Sequence, residues 1–265
     1  RPVGTPRWNR VAPDTIPPSP PPERGWEAHS RHSLPIFALR EVPMVGRERE
    51  RKILWDAARE VIALNEPRVV LVVGDSGSGK SRLTRAITLA LEEGGWMEAV
   101  RLRYRAPASI DDGYRGAVRD ILVPWNDTRD GIEHRLARWI ARDRMVPTTA
   151  VHEEASVLAR WCGYLREGEA PVSDAVALAF LYRYLDSRAW RGGSCLVLED
   201  VHLAQAAGDG LEIPEALLDR TVGERPILVI CTVAAEAIAA DPVVRRKVEG
   251  LQERGARRIG LQKLN

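Results

Sequence analysis

A glycine-rich segment, GDSGSGKS at residues 74–81, has the residue types best suited to binding a phosphate chain, since glycines let consecutive N–H groups face phosphate oxygens. It fits the pattern G-x-x-x-x-G-K-[ST]. We predict that Lys80 lies along the β- and γ-phosphates of a nucleotide and that Ser81 binds Mg²⁺. The predicted phosphate-binding residues are Gly74, Asp75, Ser76, Gly77, Ser78, Gly79, Lys80 and Ser81. The alternative is a loop that fits the pattern by chance.

Two adjacent acids end the apolar run LVLED at 196–200. In nucleotide sites, one carboxylate holds Mg²⁺ and a second orients and deprotonates the attacking water. The usual order is Asp then Glu, whereas here Glu199 precedes Asp200. Either Glu199 takes the metal side and the shorter Asp200 the water side, or Asp200 takes the metal side and has no adjacent base. Both registers predict slow turnover, and the alternative is a pair of acids that caps the next turn.

A third candidate is Thr232, the last residue of the apolar run PILVICT at 226–232. Its hydroxyl could hydrogen-bond the γ-phosphate or the attacking water. The alternative is a threonine that simply ends a strand.

Alternating strands and helices must position these residues. RVVLVVG (68–74) is a continuous β-branched run, typical of a parallel strand buried on both faces. Helical apolar spacing precedes and follows it. Further strands are predicted at 97–104, 194–200, 226–232 and 256–261, with helices at 213–221 and 235–250 and a mostly helical region at 110–190. The pattern predicts a three-layer α/β fold with a parallel sheet and a helical insertion between the second and third strands.

The composition is that of a soluble globular protein. The chain has 265 residues, is 45% hydrophobic and 29% charged, and carries a formal net charge of +2. This charge argues against nucleic acid as a partner. No apolar run reaches the roughly 18 residues of a membrane span. Cys195 and Cys231 lie in apolar runs, which suits a reducing cytosol, so we expect a cytoplasmic protein.

The first 43 residues contain ten of the 18 prolines. Proline lacks an N–H and fixes φ, so PPSPPPER (17–24) is predicted to be extended. We expect residues 1–42 to form a linker and residues 43–265 to form the globular domain. A ligand for a proline-binding module is the alternative. The chain is expected to be a piece of a longer protein.

Four segments carry a resemblance to a known family: VGRERE (45–50), GDSGSGKS, LVLEDVHLA (196–204) and PILVICT. In this order and spacing they resemble the STAND class of AAA-like P-loop ATPases, and the resemblance covers roughly residues 40–262. It implies an ATP- and ADP-binding domain with Mg²⁺ and a five-stranded parallel sheet, in which the P-loop strand lies beside the Thr232 strand. The residues implied to lie against the adenine are Val45, Gly46 and Arg47.

The same resemblance places Glu199 on the metal side and Asp200 on the water side. Two residues after Thr232 the family often has an arginine, and this chain has Ala234. The implied function is a slowly hydrolysing switch in a multidomain signalling protein. This protein is expected to bind protein partners or to self-associate through its flanking domains. A kinase before the domain and a lid after it are expected outside this chain. A non-catalytic nucleotide-binding scaffold and a nucleic-acid-remodelling ATPase are the alternatives.

Overall fold

The computed structural model describes residues 16–21, 46–109, 111–122, 128–143, 148–189, 192–204, 210–219 and 225–263. The strands are β1 (Arg68–Gly74), β2 (Glu98–Arg103), β3 (Ser194–Glu199), β4 (Ile227–Ala234) and β5 (Arg257–Leu261). The helices are α1 (Glu48–Leu64), α2 (Lys80–Glu93), α3 (Gly113–Leu122), α4 (Arg129–Asp143), α5 (Val151–Trp161), α6 (Ala175–Ala189), α7 (Glu212–Leu218), α8 (Ala235–Ala240) and α9 (Pro242–Glu253). None of these helices is both long and apolar enough to cross a membrane.

The five strands form one parallel sheet in the order β2-β3-β4-β1-β5. β1, which precedes the P-loop, pairs with β4, and Val72 lies opposite Thr232 in their register. The predicted α/β fold with a five-stranded parallel sheet is therefore confirmed, and the P-loop strand lies beside the Thr232 strand as predicted. Because all strands run in the same direction, the carboxyl ends of β1, β3 and β4 lie at one edge of the sheet. Ligands bind at this edge in such sheets.

Helices cover both faces of the sheet. α1 and α2 pack on one face, where Val70, Val72 and Val197 point toward them. On that side Trp55 and Trp96 meet edge to face, with ring centroids 5.4 Å apart. α3 to α6 and α9 pack on the other face. The alternate strand residues, such as Leu71 and Leu198, point toward these helices. Burial on both faces explains why β1, β3 and β4 are nearly continuous apolar runs.

The predicted helical insertion between the second and third strands is confirmed as α3 to α6. α6 begins with the apolar stretch AVALAF and buries Phe180, Leu181 and Tyr184. Trp139 of α4 packs on the Phe180 ring at 5.6 Å, and Trp161 of α5 is buried. Trp161 therefore belongs to the core cluster, and Trp139 packs against it.

The predicted helix at 235–250 is instead two helices. α8 ends at Ala240 and α9 begins at Pro242. Proline has no N–H to donate and suits the first turn of a new helix. The side chain of Asp241 accepts from the N–H of Val243 at 2.7 Å and caps α9.

A short N-terminal segment, residues 16–21, lies on α1 and has neither helix nor strand structure. Ile16 is buried against the α1 side of the core. The indole N–H of Trp55 donates to the carbonyl of Pro17 at 2.7 Å, and Arg51 donates to the carbonyl of Pro21 at 3.0 Å. The rest of the predicted linker, residues 1–15 and 22–42, lies outside the described residues, so the domain boundary stays a prediction.

Candidate functional site

The predicted phosphate-binding loop, or P-loop, is residues 74–81 and connects β1 to α2. Gly77 and Gly79 have left-handed φ values of 76° and 90°, and a Cβ added at either would meet open space. Gly74 is required for a different reason, because a Cβ there would come within 2.6 Å of the Leu261 carbonyl and 2.7 Å of Ser78 Oγ. The loop thus packs tightly on β5 on one side and is open on the other.

Lys80 is the first residue of α2, and its side chain returns into the P-loop. Its ammonium group donates to the carbonyl of Gly74 at 2.9 Å and to that of Asp75 at 3.0 Å. The side chain is buried, whereas Ser81 beside it is exposed. A positive charge is therefore held inside the loop at a helix N-terminus, which is the environment that a phosphate chain requires.

Arg47, predicted to lie against an adenine, also contacts the P-loop. Its guanidinium donates to the carbonyl of Ser78 at 3.1 Å and to the carbonyl of Gln262. It also pairs with Glu50 at 3.3 Å, and only 6% of Arg47 is exposed. Arg47 thus ties the start of α1 to the loop and to the end of β5. Gly46 precedes it with a positive φ of 76°, and Val45 lies outside the described residues.

Glu199 ends β3 on the face that α2 covers. One carboxylate oxygen pairs with Arg101 at 3.2 Å and the other with Arg103 at 3.2 Å, both from β2. Arg101 also donates to the hydroxyl of Thr88 on α2. The predicted metal-side acid therefore has both oxygens engaged by cations.

Asp200 follows immediately and adopts a left-handed conformation with φ 55°. This conformation ends the strand and starts a 3₁₀ turn, Val201–Leu203. The N–H of Asp200 donates to Thr232 Oγ1 at 2.8 Å, and Thr232 is fully buried. The hydroxyl predicted to meet a phosphate or water thus also supports the turn that carries Asp200.

His202 lies in that turn and reaches the end of β4, where its Nδ1 accepts from the N–H of Ala234 at 3.4 Å. Burial lowers the pKa of His202, the charges of Asp200 and Glu236 raise it, and that of Lys80 lowers it. Contacts of the start of α8 with Ser76 and of the end of β4 with His202 therefore bring the P-loop and the turn that carries Asp200 to one edge of the sheet.

Two sets of contacts at this edge were not predicted from the sequence. The Glu236 carboxylate, on α8, accepts from the N–H of Ser76 in the P-loop at 3.1 Å. Arg101 and Arg103 neutralise Glu199 from the neighbouring strand. An acid four residues after Thr232 was a visible signal for the first, but the second depends on the register of β2 against β3.

The phosphate cradle fits a nucleotide better than the acids fit a metal ion. The open space over Gly77 and Gly79 and the buried Lys80 ammonium suit a phosphate chain. The oxygens of Ser81 and Glu199 are of the type that Mg²⁺ prefers, although those of Glu199 bind arginines. Across the described ranges, no group of three or more His, Cys, Asp or Glu side chains could hold a metal ion.

Most of the chain matches one known protein family. Residues 43–230, well over half of the chain, match the family model of the AAA ATPase domain. The chain belongs to this family. No curated protein matches this chain.

Several solved structures resemble this AAA ATPase domain. One is the complex of HORMA, CdnC and Trip13 from E. coli MS115-1, with 16% identity, a TM-score of 0.40, and coverage of 84% of this chain and 64% of that one. Another is the ADP form of ORC2 from Aeropyrum pernix, with 13% identity, a TM-score of 0.39, and coverage of 81% and 48%. A third is the cytoplasmic domain of the type VII secretion ATPase EccC from Thermomonospora curvata, with 17% identity, a TM-score of 0.32, and coverage of 76% and 20%. The chain spans less than two thirds of each.

Proposed function

We propose that this AAA ATPase domain is an ATP- and ADP-binding switch of the STAND class, with slow hydrolysis, in a multidomain signalling protein. The observation that carries the proposal is the buried Lys80 ammonium inside an open glycine loop, at the same sheet edge as Asp200. A triphosphate form and a diphosphate form would favour different arrangements of neighbouring domains.

Each predicted site residue has a role in this proposal. Gly74 to Ser81 would hold the phosphates, and Gly46 and Arg47 would lie beside the base. Ser81 and Glu199 would hold Mg²⁺, whose charge would offset that of the phosphates. Asp200 orients and deprotonates the attacking water. The hydroxyl of Thr232 supports Asp200 by accepting from the Asp200 N–H.

Slow turnover is supported by the contacts of the two acids. Glu199 must exchange its pairs with Arg101 and Arg103 for a metal ion or its water shell. Asp200 has a shorter side chain than the usual glutamate, and its backbone is fixed by Thr232 in a left-handed conformation. A switch benefits from such slow chemistry, because the triphosphate form then persists.

The partners in this proposal are proteins or further copies of the same protein, engaged through flanking domains in the cytoplasm. The near-neutral net charge of +2 disfavours nucleic acid. A nucleic-acid-remodelling ATPase would instead be identified by turnover that DNA or RNA stimulates.

Binding of ADP and of a non-hydrolysable ATP analogue to Lys80→Ala tests the site. Loss of an ammonium that bonds to phosphate should weaken binding about ten- to hundredfold, measured by titration calorimetry with Mg²⁺. Lys52→Ala is the matched control, because Lys52 is exposed on α1 and pairs only with Asp56 among the described residues. Equal affinity of Lys80→Ala and the wild type would refute the assigned site.

Asp200→Asn separates hydrolysis from binding in the same assay. It should bind the analogue as the wild type does and lower phosphate release about a hundredfold. Asp120→Asn, an exposed change on α3, should leave both unchanged. A wild type that binds nucleotide with no turnover would favour the scaffold function, which the arginine pairs on Glu199 also support.

A further inference from the structure

Glu236 lies at the mouth of the P-loop, although it belongs to α8. Its carboxylate accepts from the N–H of Ser76 at 3.1 Å, across 160 residues of sequence. Ser76 lies in the part of the loop that precedes Lys80, and its N–H is one of the donors that an anion in the cradle would use. The described P-loop therefore already holds a carboxylate of the protein itself.

The Glu236 carboxylate is an anion in this position. The N–H groups of Glu236 itself and of Ser76 lower the pKa of its carboxyl, and the charges of Lys80 and Lys263 lower it further. Its charge also reaches His202, on the turn that carries Asp200. Lys80, the residue expected to neutralise a phosphate chain, is thus already within the field of a protein carboxylate.

The residues between Thr232 and Glu236 offer no compensating cation. β4 passes directly into α8, and the intervening side chains are Val233, Ala234 and Ala235. A triphosphate brings one more anionic group into the loop than a diphosphate does. The repulsion between that group and Glu236 is strongest where both compete for the N–H of Ser76 and the charge of Lys80.

We propose that Glu236 determines nucleotide specificity, favouring the diphosphate over the triphosphate by occupying the Ser76 end of the P-loop. The inference rests on the nucleotide-binding function proposed above. With a diphosphate bound, the contact between Glu236 and Ser76 persists. A triphosphate displaces the carboxylate, so α8 moves or Glu236 changes rotamer when the bound nucleotide changes.

The affinities of Glu236→Gln and Glu236→Ala for ADP and for a non-hydrolysable ATP analogue test this proposal. Removing one like charge should tighten analogue binding about five- to twentyfold and change ADP binding less than about twofold. High salt should reduce the preference of the wild type for ADP, because exposed charges are screened. Glu249→Gln, an exposed neutralisation on α9, should leave both affinities unchanged.

The outcomes separate this inference from the proposed function. If the wild type binds neither nucleotide, the nucleotide-binding function itself fails. If the wild type binds ADP but both Glu236 variants keep its ratio of analogue to ADP affinity, Glu236 is not a specificity determinant. Weaker analogue binding in Glu236→Gln would also overturn the proposal, since it would make the carboxylate a support of the triphosphate.

Discussion

At the scale of single residues, the sheet edge is governed by charges that already have partners. Lys80 bonds to loop carbonyls, Glu199 to two arginines, and Glu236 to a loop N–H. Each group is one that nucleotide or metal binding would use. Nucleotide or metal binding must therefore exchange these existing contacts for new ones. The net affinity for the ligand is then lower than at a site whose groups have no partners beforehand.

His202 gives this edge a dependence on pH. Burial lowers its pKa below the ordinary value of 6.5, and Nδ1 must be unprotonated to accept from Ala234. The unfolded chain consequently binds more protons than the folded chain between the two pKa values. The stabilising contribution is complete above the unfolded pKa and is lost as pH falls through the folded one.

We predict that His202→Asn loses less stability than the wild type when pH falls from about 7.5 to about 5.5, because asparagine offers an oxygen acceptor and does not titrate. Denaturant unfolding at each pH measures the free energy of unfolding. His134→Asn on α4, where His134 is exposed, should follow the wild type. An unchanged pH dependence in His202→Asn would exclude His202 as its source.

At the scale of elements, α1 joins the N-terminal segment to the P-loop. Arg47, just before the helix, bonds to Ser78 and Gln262, whereas Arg51 and Trp55, one and two turns later, bond to Pro21 and Pro17. The helix thus has nucleotide-side contacts at its start and segment contacts along its first turns. Its other face packs into the core through Leu54, Ala58 and Val61.

The buried Ile16 should make this segment part of the stable fold. Ile16→Ala is expected to lower the free energy of unfolding by about 2 kcal/mol, since it removes buried methyl groups and leaves a cavity against α1. Chemical denaturation followed by tryptophan fluorescence would measure the change. Val243→Ala, at a residue 52% exposed on α9, should stay within about 0.5 kcal/mol of the wild type. Equal stability of the two variants would mean that the segment does not stay docked in solution.

At the scale of the whole molecule, the two faces of the sheet form two apolar clusters, and each contains a buried cysteine. Cys195 belongs to the cluster beneath α1 and α2, and Cys231 to the cluster on the opposite face. Burial raises the pKa of Cys195 to about 12 and also raises that of Cys231. Both thiols are thus protonated and closed to reagents while the sheet is covered.

Thiol labelling should therefore report global unfolding. We expect Cys195 and Cys231 to react together, at the rate at which the whole domain opens. The half-buried Cys162, whose pKa burial raises to about 11, should react earlier. Saturating ADP should slow the labelling of Cys195 and Cys231, because a ligand that binds the folded state stabilises it, and Lys80→Ala should lose that protection. Peptide mass spectrometry measures each site. Labelling of Cys195 as fast as Cys162 would indicate local opening instead.

The sequence alone was sufficient for features that depend on neighbouring residues. β1 coincides with the predicted run 68–74, and the other four strands begin within one residue of their predicted starts. Apolar runs and glycine spacing are local signals, so they determine elements and the P-loop. The same local reasoning was wrong at 235–250, where Pro242 divides one predicted helix into two.

Only the tertiary structure decided which groups surround the candidate site. Arg101 and Glu199 are 98 residues apart, and Ser76 and Glu236 are 160 residues apart. Such contacts depend on strand order, on the register of β2 against β3, and on the turn after β4. Spacing along the chain carries none of this information, because side chains meet only after the sheet has assembled. The acid pair was therefore visible in the sequence, while the contacts of Glu199 with its two arginines and of Glu236 with Ser76 were not.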